Sequence, residues 1–269
     1  RKVDLLSLLR QARARRNISV CFCALMYVNV CRPPLLVVTH KTSSRYMAKI
    51  EEARRLWRYA DAISFDVDST VIQEEGIDEL AKFCGKGEQV AAMTRNAMQG
   101  QVTFQESLAA RLNIIRPSLS QIKDFIATHP PKLTPGIQSL VSALQSRKKQ
   151  VFLVSGGFHC LIAPVANLLN IPIENIYANR LKFYFTGEFA GFDENEPTAR
   201  SGGKAIVVGK LKEEKGFHTV VHVGDGATDL ETVPPADSFI GYGGNVIRDS
   251  VKSRAPWFIT DFEDLMKAL

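Results

Sequence analysis

Apolar positions fall into two alternating patterns along most of the chain. Ile50, Ala53, Leu56 and Trp57 recur at helical spacing, and a strand-like run, Ala62 to Phe65, follows them. Val151 to Val154 and Val220 to Val223 repeat this arrangement: each comes after a helical segment and stops at a Gly-containing turn. Shorter runs stand at Phe239-Ile240 and Trp257 to Ile259. Strands separated by helices predict parallel βαβ units, hence an α/β fold whose sheet is covered on both faces. Functional groups are then expected at the carboxyl ends of the strands.

Nearly 85 residues separate the first two strands, far more than one crossover helix needs. Phe104, Leu108, Leu112 and Ile115 form one helical stripe; Ser118 to Gln121 reads as a capping box ahead of Ile122, Phe125 and Ile126. A small helical cap over residues 80–130 accounts for the insert, leaving 47–79 and 131–269 for the core. Alternation from Leu181 to Phe192 around Thr186-Gly187 predicts a β-hairpin on that core. There is no internal repeat.

Residues 1–46 differ in kind. A basic run, Arg10 to Arg16, precedes 14 mostly apolar residues, Ile18 to Cys31, which are closed by Arg32-Pro33-Pro34. That run is short of the roughly 20 residues needed to span a bilayer. Its basic flank resembles a signal or organellar presequence, and the alternative is an extension that never folds. The pattern places the start of the folded body at Met47.

Charge changes this picture only once it is located. The chain carries 34 Lys+Arg and 28 Asp+Glu, a net charge of +6. Residues 1–46 hold nine of those bases against one acid, Asp4, so the remaining 223 residues are slightly acidic. A phosphate-backbone reader needs a cationic face on its folded domain, so nucleic acid is not an expected partner. Nor is a membrane expected for the body. Only Cys84 and Cys160 lie beyond the leader; without a C-x-x-C pair they read as small hydrophobes in a reduced, cytoplasmic protein, with organellar targeting left to residues 1–46.

The candidate chemistry sits at three strand ends. Asp66-Val67-Asp68-Ser69-Thr70 follows the first, and Gly224-Asp225-Gly226-Ala227-Thr228-Asp229 follows the third. Either pair alone could serve as a helix N-cap or a turn. If the two converge, however, four carboxylates share one pocket, and each pair of charges about 4 Å apart repels by roughly 4 kcal/mol at an effective dielectric near 20. Such a cluster calls for a hard cation, and an all-oxygen donor set suggests Mg²⁺. An EF-hand is excluded, because Val71 and Ile77 stand where that loop needs Gly and Glu. Ser155-Gly156-Gly157 ends the second strand, where a hydroxyl and successive N–H groups opening a helix would form an anion site. Lys204 adds a cation after another glycine turn; Thr198 and Ala205 rule out a Walker A loop there.

The order D-x-D-x-T, then Ser, then Lys, then G-D-G-x-x-D resembles that of the haloacid-dehalogenase-like phosphohydrolases. Phe65 to Leu80, Phe152 to Phe158 and Leu181 to Phe192 are similar to the branch that acts on O-phospho-L-serine, over residues 47–269. The resemblance implies a Rossmann-like core with a helical cap, releasing L-serine and phosphate with Mg²⁺ in the last step of serine biosynthesis. By the same resemblance, Asp66 is the nucleophile and Asp68 the general acid and base; Asp66, the Asp68 carbonyl and Asp225 hold the metal. Ser155, Gly156, Gly157 and Lys204 bind the phosphoryl group, and Thr70, Thr228 and Asp229 support the site. Glu75 receives the substrate ammonium, with Met98, Phe104 and Arg111 around it. Gln99 replaces the usual Gly, which puts affinity rather than chemistry in question.

Arg111 also has an independent reading. It lies three residues after Leu108 and seven after Phe104, on the apolar stripe, and an inward Arg wants a carboxylate. His159 reads as a surface residue, and His218 and His222 have no spaced partners. Competing readings are a phosphatase or phosphotransferase acting on another small phosphoester, and a non-catalytic binding module on the same scaffold. A homodimer remains compatible with either.

Overall fold

The computed structural model describes residues 38–97 and 103–269. Contacts group Ala48–Leu269 as one compact unit. Six parallel strands make the central sheet: β1 (Ala62–Phe65), β2 (Gln150–Phe158), β3 (Ile176–Asn179), β6 (Val220–Gly224), β7 (Ser238–Tyr242) and β8 (Trp257–Ile259). Their order, β3-β2-β1-β6-β7-β8, reverses direction at β1, and the carboxyl ends of β1 and β6 flank that switch point. The sheet is thus the parallel α/β core that the apolar runs predict, with β3 added at the edge.

Strand alternation sends side chains to two covered faces. Ile63, Phe65, Val151, Leu153, Val221 and Val223 join one core cluster with Trp57, while Ala62, Phe152, Val154 and Val220 pack with Val207, Val208 and Leu211 on the other face. Helix α1 (Val38–Tyr59) is tied to the C-terminus by the Trp57 indole N–H, which donates to the Leu265 carbonyl at 3.1 Å. Helical structure therefore begins ahead of Met47, because no Pro or Gly interrupts the run from Val38. Residues 1–37, including the apolar run of the leader, lie outside the described residues.

Between β1 and β2 stand α2 (Gly76–Phe83), α3 (Gly87–Ala97), α4 (Phe104–Ile115), α5 (Leu119–Thr128) and, returning to the sheet, α6 (Ile137–Ser146). Reciprocal capping boxes open α4 at Thr103/Glu106 and α5 at Ser118/Gln121. The hairpin β4 (Leu181–Phe183) and β5 (Phe189–Phe192) forms as predicted, but its position differs. Phe189 and Phe192 belong to the cluster of Leu80, Leu108 and Leu112, and Leu119 N–H donates to the Gly187 carbonyl at 2.8 Å. The hairpin therefore packs with the inserted helices, since its apolar residues find their partners there. Cys84 and Cys160 are half-buried, not core residues.

Candidate active site

Asp66 follows β1 in extended conformation, and its Oδ1 accepts the Val67 N–H at 2.8 Å. Val67–Val71 then wraps into one wide turn, closed by Ile72 N–H donating to the Val67 carbonyl at 3.0 Å. Ser69 takes φ 54° in this turn, a left-handed conformation costing a non-glycine residue about 1–3 kcal/mol. Several bonds hold it there. Ser69 N–H donates to the Glu74 carbonyl, Ser69 Oγ donates to Glu75 Oε1 at 2.7 Å, and Asn245 Nδ2 donates to the Ser69 carbonyl at 3.1 Å. The Asp68 carboxylate accepts the Gly76 N–H at 2.7 Å.

The end of β6 brings up the second acidic pair. Asp225 accepts from Thr70 Oγ1 at 3.2 Å. The fully buried Asp229 accepts the Gly226 N–H on Oδ2 and, on Oδ1, both His222 Nε2 and Lys204 Nζ, each at 2.7 Å. Lys204 comes from α8 (Gly203–Lys215), and its Nζ also stands 2.8 Å from Asp66 Oδ1. Lys204 is thus a buried cation between two carboxylates.

Ser155-Gly156-Gly157 departs from the expected turn. β2 runs on through it to Phe158, with its register against β3 shifted, and α7 (His159–Leu168) begins only afterwards. Ser155 Oγ accepts the Gly157 N–H at 2.9 Å. The glycines are needed for clearance: a Cβ at Gly156 would come 2.8 Å from Phe104 Cζ, and one at Gly157 would come 2.8 Å from Asp68 Oδ2. A larger residue at either position would force the Phe104 ring or the Asp68 carboxylate to shift.

A cavity of about 200 Å³ lies over these groups, lined by Asp66, Asp68, Glu75, Phe104, Arg111 and Lys204, with Gly156, Gly157, Asp225 and Thr228 also on its wall. Ser155 and Asp229 lie behind it. Met98 and Gln99 are outside the described residues. Sequence reading missed Arg248, whose Nε donates to Asp225 Oδ2 at 2.8 Å and whose Nη2 lies 3.4 Å from Glu75 Oε1. It arrives from the Gly243-Gly244 loop after β7, and those two glycines, crowded by Phe258 and Tyr242, were the only signal for it. The His222 contact with Asp229 was missed as well.

Electrostatics mark the same groups. Burial, with Asp229 adding to it, pushes the Asp66 carboxyl well above its usual range against the pull of Lys204. Burial also raises Asp68, opposed by the Gly76 N–H, and raises Asp225, opposed by Arg248. Glu75 is pushed up to about 7 by burial and by the Asp68 charge. Burial lowers Arg111, with Asp78, Glu75 and Asp68 opposing. Acids raised toward neutrality suit groups that exchange protons at neutral pH.

Carboxylate oxygens of Asp66, Asp225 and Asp229, all buried, lie within 4.8 Å of one another, an all-oxygen set fit for a hard cation. Asp229 already accepts three hydrogen bonds, so Asp66 and Asp225 are the better placed to ligate directly. The Asp68 carboxylate is turned away to Gly76 and stands outside this set, leaving only its carbonyl for the expected metal role.

A family model of haloacid dehalogenase-like hydrolases matches residues 60–237. A bovine phosphoserine phosphatase is 60% identical over 83% of this chain and 99% of its own length. The chain belongs to the haloacid dehalogenase-like hydrolase family, in its phosphoserine phosphatase branch. A chloroplastic phosphoserine phosphatase of Arabidopsis thaliana, also in this branch, is 51% identical over 81% of this chain and 75% of its own. A solved phosphoserine phosphatase described as a phospho-aspartyl intermediate analogue superposes with a TM-score of 0.67 at 26% identity, covering 78% of this chain and 99% of that one.

Proposed function

We propose that this protein hydrolyses O-phospho-L-serine to L-serine and phosphate through an aspartyl-phosphate, with Mg²⁺, as the last step of serine biosynthesis. The observation that carries this reading is that groups of opposite charge, Glu75 and Arg111, line the same cavity as Asp66. Glu75 takes the substrate ammonium and Arg111 its carboxylate, which leaves the phosphate over Asp66. The cavity is smaller than the roughly 300 Å³ at which pockets for drug-sized ligands begin, which suits a small phosphoester. The core comprises 47–79 and 131–269, and 80–130 is the cap that supplies Phe104 and Arg111. No described helix is long and apolar enough to cross a membrane. The described cysteines, Cys84 and Cys160, are free thiols, which suits the cytoplasm.

Asp66 attacks phosphorus and forms the acyl phosphate, while the ester bond breaks toward the serine oxygen. Asp68, as general acid, gives its proton to that leaving oxygen. It then takes a proton from the water that cleaves the phospho-enzyme, and Asp66 is regenerated as phosphate departs. Lys204 and the Gly156 N–H hold the transferring oxygens; Ser155, whose Oγ takes the Gly157 N–H, braces that segment. Asp66, Asp225 and the Asp68 carbonyl would hold Mg²⁺, with Thr70, Thr228 and Asp229 in support; the cation would supply charge stabilisation for the phosphoryl group.

Phosphate release from O-phospho-L-serine and from small phosphomonoesters lacking either the ammonium or the carboxylate, with and without Mg²⁺, tests the reading. Phosphoserine should be preferred and Mg²⁺ required. Equal rates across the panel would favour a general phosphoester hydrolase instead.

A further inference from the structure

We infer that His222, held in one tautomer by Ser64, is a positioning residue that fixes Asp229 and, through it, the place of Lys204 beside Asp66. The inference rests on the proposed roles of Asp66 and Lys204. Ser64 and His222 are register partners on β1 and β6. Both are fully buried and point to the sheet face that α8 covers, as Ala62 and Val220 do two residues earlier on each strand. Phe239 stacks along the imidazole, its ring centroid 6.3 Å away at 23°. Nδ1 lies 2.8 Å from Ser64 Oγ, and Nε2 lies 2.7 Å from Asp229 Oδ1.

The direction of each bond follows from charge. Asp229 Oδ1 takes the Lys204 ammonium and Oδ2 the Gly226 N–H, both groups that only donate, so this carboxyl is ionised. An ionised carboxylate only accepts, so Nε2 must carry the hydrogen. A charged imidazole would set a second cation beside the Lys204 ammonium on the same Asp229 oxygen, so the ring is neutral and Nδ1 is left bare to accept the Ser64 hydroxyl. Ser64 thereby selects the tautomer that Asp229 needs.

The consequence reaches the nucleophile because His222 and Lys204 share one oxygen of Asp229. With the imidazole on Oδ1 and Gly226 N–H on Oδ2, the carboxylate cannot turn about its own axis, and Lys204 Nζ stays 2.7 Å from Asp229 and 2.8 Å from Asp66. An apolar side chain at 222 would leave Oδ1 to Lys204 alone. Asp229 could then rotate with the ammonium, and Lys204 would leave the transferring phosphoryl group. Glu75 and Arg111, which hold the other end of the substrate, would be untouched, so the loss should fall on kcat more than on KM.

Two measurements test this. In the metal-free protein, nitrogen-15 NMR should show His222 protonated on Nε2 and bare on Nδ1; the opposite tautomer, or a doubly protonated ring near neutral pH, would overturn the inference. In kinetics with O-phospho-L-serine and Mg²⁺, H222L should lower kcat about ten- to a hundredfold, the size expected for losing one hydrogen bond to a charged group, with a much smaller change in KM. H222Q should recover most of that loss, because its amide can donate from near the Nε2 position. S64A should slow the natural chain, yet add little in the H222Q background, whose donor has no tautomer to lose. Gln as slow as Leu, or S64A costing the same in both backgrounds, would mean that His222 only fills space. Should H222L fail to fold, the H222Q and S64A comparison and the NMR signature still decide. If the natural chain did not hydrolyse phosphoserine, the proposed function would fall, and the tautomer would still be read from the spectrum.

Discussion

At Glu75 and Arg111 opposite charges are held half out of water, and each has a cost that a substrate could offset. Glu75 ionises at about 7, because burial and Asp68 disfavour its charge. Only the ionised carboxylate attracts an ammonium, so KM for phosphoserine should fall as pH rises through about 7. In E75Q this dependence should vanish while that of the phosphate itself persists; an unchanged profile would remove Glu75 from recognition. Arg111→Ala should cost about 1.5–3 kcal/mol in kcat/KM for phosphoserine, roughly tenfold to more than a hundredfold. A phosphoester without a carboxylate should scarcely respond. Equal losses on both would give Arg111 a folding role instead.

At the scale of elements, β2 shows how a strand becomes part of a site. Its last residues remain extended through Ser155-Gly156-Gly157, where the glycine pair reads in sequence as a turn. Periodicity could not decide this, because the cause is steric and non-local: Gly157 stays extended under the Asp68 carboxylate, and Gly156 under the Phe104 ring. Gly157→Ala would place a Cβ 2.8 Å from Asp68 Oδ2 and 3.2 Å from Ser155 Oγ. The expected result is a loss of kcat of about a hundredfold, the size associated with a displacement near 1 Å, with the fold kept as read by circular dichroism. The inserted helices were legible because Leu108, Leu112 and Ile115 keep helical spacing and the Ser118 box marks a start. The hairpin was legible as a hairpin, but its docking on those helices was not, since alternation names a buried face without naming its partner.

For the whole molecule, the convergence of β1 and β6 gathers like charges that only a cation relieves. Added Mg²⁺ should raise Tm, by an amount equivalent to about 2.7 kcal/mol at a concentration one hundred times its Kd. D225N should lose most of that rise. An equal rise in both would exclude Asp225 as a ligand. A chain shortened to begin at Met47 retains Ala53 and Trp57, the buried contacts of α1, and should match the full chain in kcat/KM. Loss of activity or of folding on that truncation would make the leader part of the catalytic unit.

Apolar runs of four residues and helical stripes were enough to determine an α/β chain with a parallel sheet, because burial of a repeating face is a local property of sequence. The acidic pairs and Ser155 could be placed at strand ends for the same reason, and Lys204 after a glycine turn. Only the tertiary structure decided which of these side chains meet. Arg248 reaches Asp225 and Glu75 across 23 and 173 positions of chain, and Ser64 meets His222 across 158, distances over which no spacing rule operates. Those contacts exist because the sheet sets β1 beside β6 in register and turns both strand ends toward one cavity, and it is this placement, rather than any motif, that makes Lys204 a buried bridge between Asp66 and Asp229.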